Sequence, residues 1–171
     1  MAKIDPVGPI VSASHLAEGF PALSELEFAL TVANHAFQRW MARCMAASGL
    51  DGLSGFEVQL LHSVNHRQRA KSQAELCLML NVEDTHLVSY AVRKLEKAGL
   101  VETGRRGKEK TVRASEAGAT ACERYRAVRD RLLVESLSTL DLDPTQVSSA
   151  ATLLRALSGQ YDQATRGAAS L

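Results

Sequence analysis

Five of the nine residues from Arg105 to Arg113, in "RRGKEKTVR", are cations. Side chains of one sign this close together repel unless an anion or solvent screens them, so the run asks what it faces. On an exposed loop Arg105, Arg106, Lys108 and Lys110 reach phosphate oxygens or a narrow minor groove, where a guanidinium is favoured. Cations on an exposed hairpin also act as gatekeepers against edge-to-edge pairing, and at this point both readings stand.

Bond-making chemistry has no comparable signal. No nucleophile–base pair, phosphate-cradling Walker loop or dinucleotide fingerprint occurs, so no enzyme and no cofactor is expected. His62 and His66 have the i, i+4 spacing of helical zinc ligands, but no acid or thiol stands near them in sequence. A solvated basic helix end is the expectation there, with Arg67, Arg69 and Lys71 touching a DNA backbone and no metal bound. Cys44, Cys77 and Cys122 are widely spaced with no C-x-x-C pair, as in a reduced cytoplasmic protein. No apolar run approaches the roughly 18 to 20 residues that span a bilayer, so a soluble chain without membrane contact is expected.

The elements that position these residues can be read from their boundaries. Of 171 residues 46% are hydrophobic and 23% charged, enough for a packed core. The net charge of +1 hides an uneven distribution: Arg93 to Arg113 carries eight Lys/Arg against three Glu, whereas Met1 to His62 carries three against six acids. Four helix starts are predicted from capping signals: Ser24 with Glu27, Ser54 with Glu57, Ser72 with Glu75, and Asp143 followed by Pro144. After the first, Leu26, Leu30, Ala33, Phe37, Trp40 and Cys44 recur at helical spacing up to Gly49. Ala121, Tyr125, Val128 and Leu132 mark a second long helix, and Val147, Ala151, Leu154, Leu157 and Tyr161 a third. The first twenty or so residues, with Pro6, Pro9 and Pro21, are expected to be a non-helical arm.

Between the long helices the spacing predicts one helix over 54–66, a short one over 72–80 and a third over 84–97, closed by Gly99. The turn "NVED" between the last two is short. Strands follow over 100–104 and 110–114, with "RRGKE" as the tip and Gly104 and Gly107 as bends. Two helices on a short turn followed by a basic hairpin make a winged helix-turn-helix pattern. In it Leu87, Val88, Ala91, Val92 and Leu95 form the buried side of the third helix. Thr85, His86, Ser89, Tyr90, Arg93 and Lys94 face outward as candidate groove-reading residues, with a plain solvated face as the alternative. Asp84 is expected to cap that helix, and Ser72 and Gln73 to add phosphate contacts or simply to cap theirs.

The segments "SQAELCLML", "HLVSYAVRKLEKAGLVE" and "VRASEAG", in this order over about Leu53 to Gly118, resemble the MarR family of transcription regulators, in particular a less-characterised branch of it. The resemblance implies a mainly α fold with a small β-hairpin: a winged helix-turn-helix lobe plus long helices forming a dimerisation region. It implies a homodimer on a pseudo-palindromic operator in double-stranded DNA, with a small-molecule effector in some members. The division would be an arm at 1–22, a dimerisation helix at 23–52, the DNA-binding region at 53–115 and C-terminal dimerisation helices at 116–171. His35, Trp40 and Tyr125 are candidates to line an effector cleft, with core packing the alternative for the last two. Two departures bear on specificity: Tyr90 stands where the family usually has Arg, and the acid that usually braces the wing arginine is absent from the tip. A winged-helix protein-interaction module without specific DNA reading is the alternative function.

Overall fold

The computed structural model describes residues 20–171, and the chain divides into two compact units after Val128. The arm expected at 1–22 lies outside the described residues as far as residue 19, and Pro21 and Ala22 already belong to α1 (Pro21–Ala47). Ser24 is therefore not the cap. The helix starts one turn earlier because Pro21 sits at its first position, where a missing N–H and a fixed φ cost nothing.

The other three starts form as their sequences specify. In α2 (Gly55–Asn65) Ser54 Oγ accepts from the Glu57 N–H at 3.3 Å while the Glu57 carboxylate accepts from the Ser54 N–H at 2.7 Å. In α3 (Gln73–Leu80) Ser72 and Glu75 repeat this reciprocal pair at 3.2 and 2.7 Å. Asn81 then turns the chain with φ 51°, and the Val82 N–H donates to Cys77 O at 2.9 Å, satisfying a carbonyl at the helix end. Asp84 caps α4 (Thr85–Lys97) by accepting from the His86 N–H at 2.8 Å. Gly99, at φ +71°, closes it, with the Leu100 N–H donating to Leu95 O at 2.9 Å.

The hairpin is longer and its turn tighter than expected. Strand Val101–Arg106 pairs with Glu109–Ala114 up to Arg106 opposite Glu109, leaving a turn of Gly107 and Lys108 alone. Gly107 has φ +65° at the first turn position, which suits the right-handed twist of a two-residue hairpin. Gly104 is not a bend; it pairs in register with Thr111. A third strand lies beyond the expected hairpin: β1 (Lys71–Ser72) pairs antiparallel with β3 (Glu109–Ala114), whose other neighbour is β2 (Val101–Arg106), giving the order β1-β3-β2. Two residues carry no periodicity from which to read a strand.

The core of this first unit joins the C-terminal half of α1 to the winged region. Met45 and Leu60, Leu61, Leu76 and Leu95 are fully buried, and each such leucine stabilises the fold by about 2 kcal/mol. Leu87, expected inside, is 44% exposed, and the buried face of α4 is Val88, Ala91, Val92 and Leu95. Leu87 lies in the first helical turn, outside that buried face. Gly118, in α5 (Glu116–Arg129), lies so close to Leu100 that a Cβ there would sit 2.0 Å from the Leu100 carbonyl oxygen.

The second unit runs from Arg129 to Leu171. It holds a π-turn at Asp130–Val134, a short α6 (Glu135–Ser138) and α7 (Pro144–Ala168), capped by Asp143 through the Thr145 N–H at 2.8 Å. No residue of α7 is buried; Val147, Leu153 and Leu154 stand open to solvent. Among the described residues no helix is long and apolar enough to cross a membrane.

Candidate nucleic-acid interface

The amphipathic split of α4 leaves Thr85, His86, Tyr90, Arg93 and Lys97 exposed on one side of the helix. Lys97 lies one turn beyond Arg93 on this outward side. Two expected readers are engaged within the protein. Lys94 Nζ donates to Glu57 Oε2 and to Gly52 O, both at 2.8 Å, so it ties α4 to the start of α2 instead of reaching out to DNA. Burial pushes the Glu57 carboxyl up, but the hydrogen bonds from Lys94 and Ser54 outweigh that and leave it below the usual range. Ser89 donates its hydrogen to Thr85 O at 2.9 Å and accepts from Gln73 Nε2 at 2.7 Å.

The wing sorts its cations the same way. Arg113 pairs with Glu102 across the hairpin at 2.5 Å. Arg106 pairs with Glu109 at 3.0 Å and lies 4.0 Å from Glu75. The expectation of an unbraced wing is corrected: the acid comes from the opposite strand of the hairpin, seconded by α3. Hydrogen bonds from Arg106 and Ser72 hold the Glu109 carboxyl below its ordinary range, so it stays charged. Arg105, Lys108 and Lys110 are exposed and, among the described residues, without an ion pair. Arg93, Arg105 and Lys110 converge on a cleft of 410 Å³ between α4 and the hairpin, floored by Val92, Gly104 and Val112.

The segment expected to touch the DNA backbone divides as well. Lys71 is corrected outright: it is 1% exposed, and its ammonium donates to Val64 O, His66 O and Arg69 O at 2.9, 2.5 and 3.3 Å. Burial, and then the neighbouring Arg69, lower its pKa. It closes the end of α2, and no phosphate reaches it. Ser72 is buried as a cap, and Arg69 pairs with Glu75 at 2.8 Å. Arg67 is exposed, on a 3-10 turn where its φ is +58°.

His62 is not part of a solvated helix end. Its ring packs edge-on to Tyr125 with centroids 4.6 Å apart, and its Nε2 is buried without a hydrogen-bond partner. Burial first, and the Arg126 charge second, lower its pKa. His66, four residues on, is exposed, and among the described residues no group of three His, Cys, Asp or Glu is placed to hold a metal. Burial pushes the Cys122 thiol up to about 11. Of the effector-cleft candidates, Tyr125 is buried against His62 and His35 is exposed. Trp40 packs on the core while lining a 760 Å³ groove with Arg39 and Arg43.

Residues 53–118 match the family described as "Winged helix DNA-binding domain". No curated protein matches the chain. Among solved structures the chain is similar to a cysteine-to-serine mutant of MarR from E. coli complexed with operator DNA, at 19% identity and TM-score 0.65, covering 82% of this chain and 99% of that one. It is similar to CouR from Rhodococcus jostii RHA1 bound to p-coumaroyl-CoA, at 17% identity and TM-score 0.60 over 77% and 90% of the two chains. A MarR-family regulator from Rhodococcus sp. RHA1 matches at 16% identity and TM-score 0.59, over 79% and 93%. At these identities the likeness is one of fold.

Proposed function

Because residues 53–118 match the winged helix DNA-binding domain family and the chain has the fold of the MarR regulators, we propose that it is a homodimeric transcription regulator that binds a pseudo-palindromic operator. The carrying observation is the convergence of unpaired Arg93, Arg105 and Lys110 on one cleft while neighbouring cations are neutralised by Glu57, Glu102 and Glu109. A uniformly solvated face gives no reason for that sorting. In this reading α4 enters the major groove with Thr85, His86, Tyr90 and Arg93 toward base edges, and the wing's Arg105 and Lys108 meet phosphate or minor groove. Arg67 adds a backbone contact.

The dimer is supported by apolar surface left open: Phe28, Leu30 and Phe37 on α1, and Val147, Leu153 and Leu154 on α7. In this reading α1 and the C-terminal helices form the dimerisation region, and a second copy covers these faces. A DNA-binding role places the protein in the cytoplasm. A small anionic effector is proposed for the groove at Trp40, where Arg39 and Arg43 supply charge; it acts only by binding the free and DNA-bound forms with different affinity.

The test is a gel-shift titration of the full chain against salt. Three unpaired wing cations on each of two subunits predict a log–log slope of about −5. Salt-insensitive or absent affinity overturns the reading. One observation favours the protein-interaction alternative: Leu78, Met79 and Leu87 are 83, 46 and 44% exposed on the two motif helices, close in sequence to Glu83 and Asp84. Charge reversal of Arg105 and Lys108 separates the two, since an interaction module keeps its function in cells when those charges are reversed.

A further inference from the structure

Gln73 opens α3 and is only partly exposed. Its Nε2 donates to Thr85 O at 2.8 Å and to Ser89 Oγ at 2.7 Å, and Ser89 Oγ donates to the same Thr85 O at 2.9 Å. A carbonyl oxygen only accepts, so the amide nitrogen, not the amide oxygen, must face Thr85. The triangle then uses every hydrogen these two side chains own. Both amide hydrogens and the hydroxyl hydrogen lie inside it, and among the described residues Gln73 Oε1 and one lone pair of Ser89, both acceptors, remain free.

The tie has two consequences. It spans the first turn of α4, linking residues 85 and 89 to the first residue of α3, and so fixes the rotation of α4 about its own axis at the end that holds His86 and Tyr90. It also sets the chemistry of one corner of the cleft, which Gln73 and Ser89 both line. A base edge meeting two acceptors must bring a hydrogen. In the major groove that is the exocyclic amino group of cytosine or adenine, whereas guanine and thymine present acceptors there.

Resting on the DNA-binding reading above, we propose that Gln73 is the positioning residue of the recognition helix, and that with Ser89 it selects cytosine or adenine at the base facing this corner. Gln73 touches the bases through its oxygen at most; its main action is through α4.

The experiment is selection of bound duplexes from a random pool by the full-length protein, followed by affinities for the selected site and for unrelated DNA. The wild type is expected to prefer one base pair at one position of each half-site, the pair that turns its cytosine or adenine amino group to this corner. Gln73→Met keeps the length of the side chain and removes its hydrogens. It is expected to lower discrimination at that position roughly tenfold, while melting temperature, affinity for unrelated DNA and salt slope stay as in the wild type. Gln73→Glu is the second variant if methionine disturbs folding: an acid at the first turn suits the helix dipole, yet it has no hydrogen to give, and a ratio of affinities cancels its extra charge. Unchanged discrimination in both variants overturns the inference while leaving DNA binding standing. A wild type without salt-sensitive affinity for any duplex overturns the DNA reading and this inference with it.

Discussion

The winged region and α7 are built on opposite terms. The winged region has a buried apolar core that includes Leu60, Leu61, Leu76 and Leu95, and some of its polar groups are tied within the protein. Lys94 reaches Glu57 from 37 residues away, and Lys71 is enclosed by three backbone carbonyls. α7 has 25 residues, a well-formed start and no buried side chain. Its helix is determined locally by the Asp143 cap and Pro144, and among the described residues Leu153 and Leu154 stay exposed. The first region presents charged groups sorted into paired and unpaired ones; the second leaves an apolar face open, the face that the proposed dimer would cover.

Breaking the open face should have the largest effect. The double variant Leu153→Asp, Leu154→Asp is expected to sediment as a monomer and to bind a two-half-site operator about 1,000-fold more weakly, because the second half-site contact is no longer intramolecular. The thermal transition of the winged region should stay where it is. Dimeric behaviour of this variant in ultracentrifugation would remove the contrast.

Disrupting the sealed region should act on stability first. Gly118→Ala forces a methyl onto the Leu100 carbonyl and should lower unfolding free energy by about 3 kcal/mol in urea titration, as overpacking against rigid backbone does. Lys71→Met leaves three carbonyls without their donor and should cost about 2 kcal/mol by the same measurement. Equal stability of the lysine and methionine forms would show that water replaces the ammonium and that the region is less sealed than its geometry indicates.

The smallest effect is a pH dependence. His62 has a lowered folded pKa, so below about pH 6.5 the unfolded chain takes up a proton that the folded one resists. Stability is fully present above that pH and declines as pH falls toward the folded value. His62→Phe should flatten this part of the stability–pH curve, measured by urea midpoints between about pH 5 and 7.5. Glu57, also lowered, acts further down: the Lys94 tie is lost as pH falls through the folded carboxylate value.

Much of the fold was legible because its signals are local. Ser54 with Glu57, Ser72 with Glu75, Asp84, and Asp143 before Pro144 each state a helix start within a few residues. Gly99 and Gly107 state an end and a turn. The Ser24 signal is overridden because Pro21 is itself a good opening residue. The third strand was missed because two residues carry no pattern.

The amino-acid sequence by itself determined a helix pair, a basic hairpin and three long amphipathic helices, since hydrogen bonds three or four residues apart decide such elements. Only the tertiary structure decided which cations remain available. Lys71, Lys94 and Arg113 look in sequence like Arg93, Arg105 and Lys110, and all of them lie in basic stretches. Whether a charge is free depends on an acid or carbonyl brought near through space, and Glu57 beside Lys94 is a consequence of packing α2 on α4, not of any spacing along the chain.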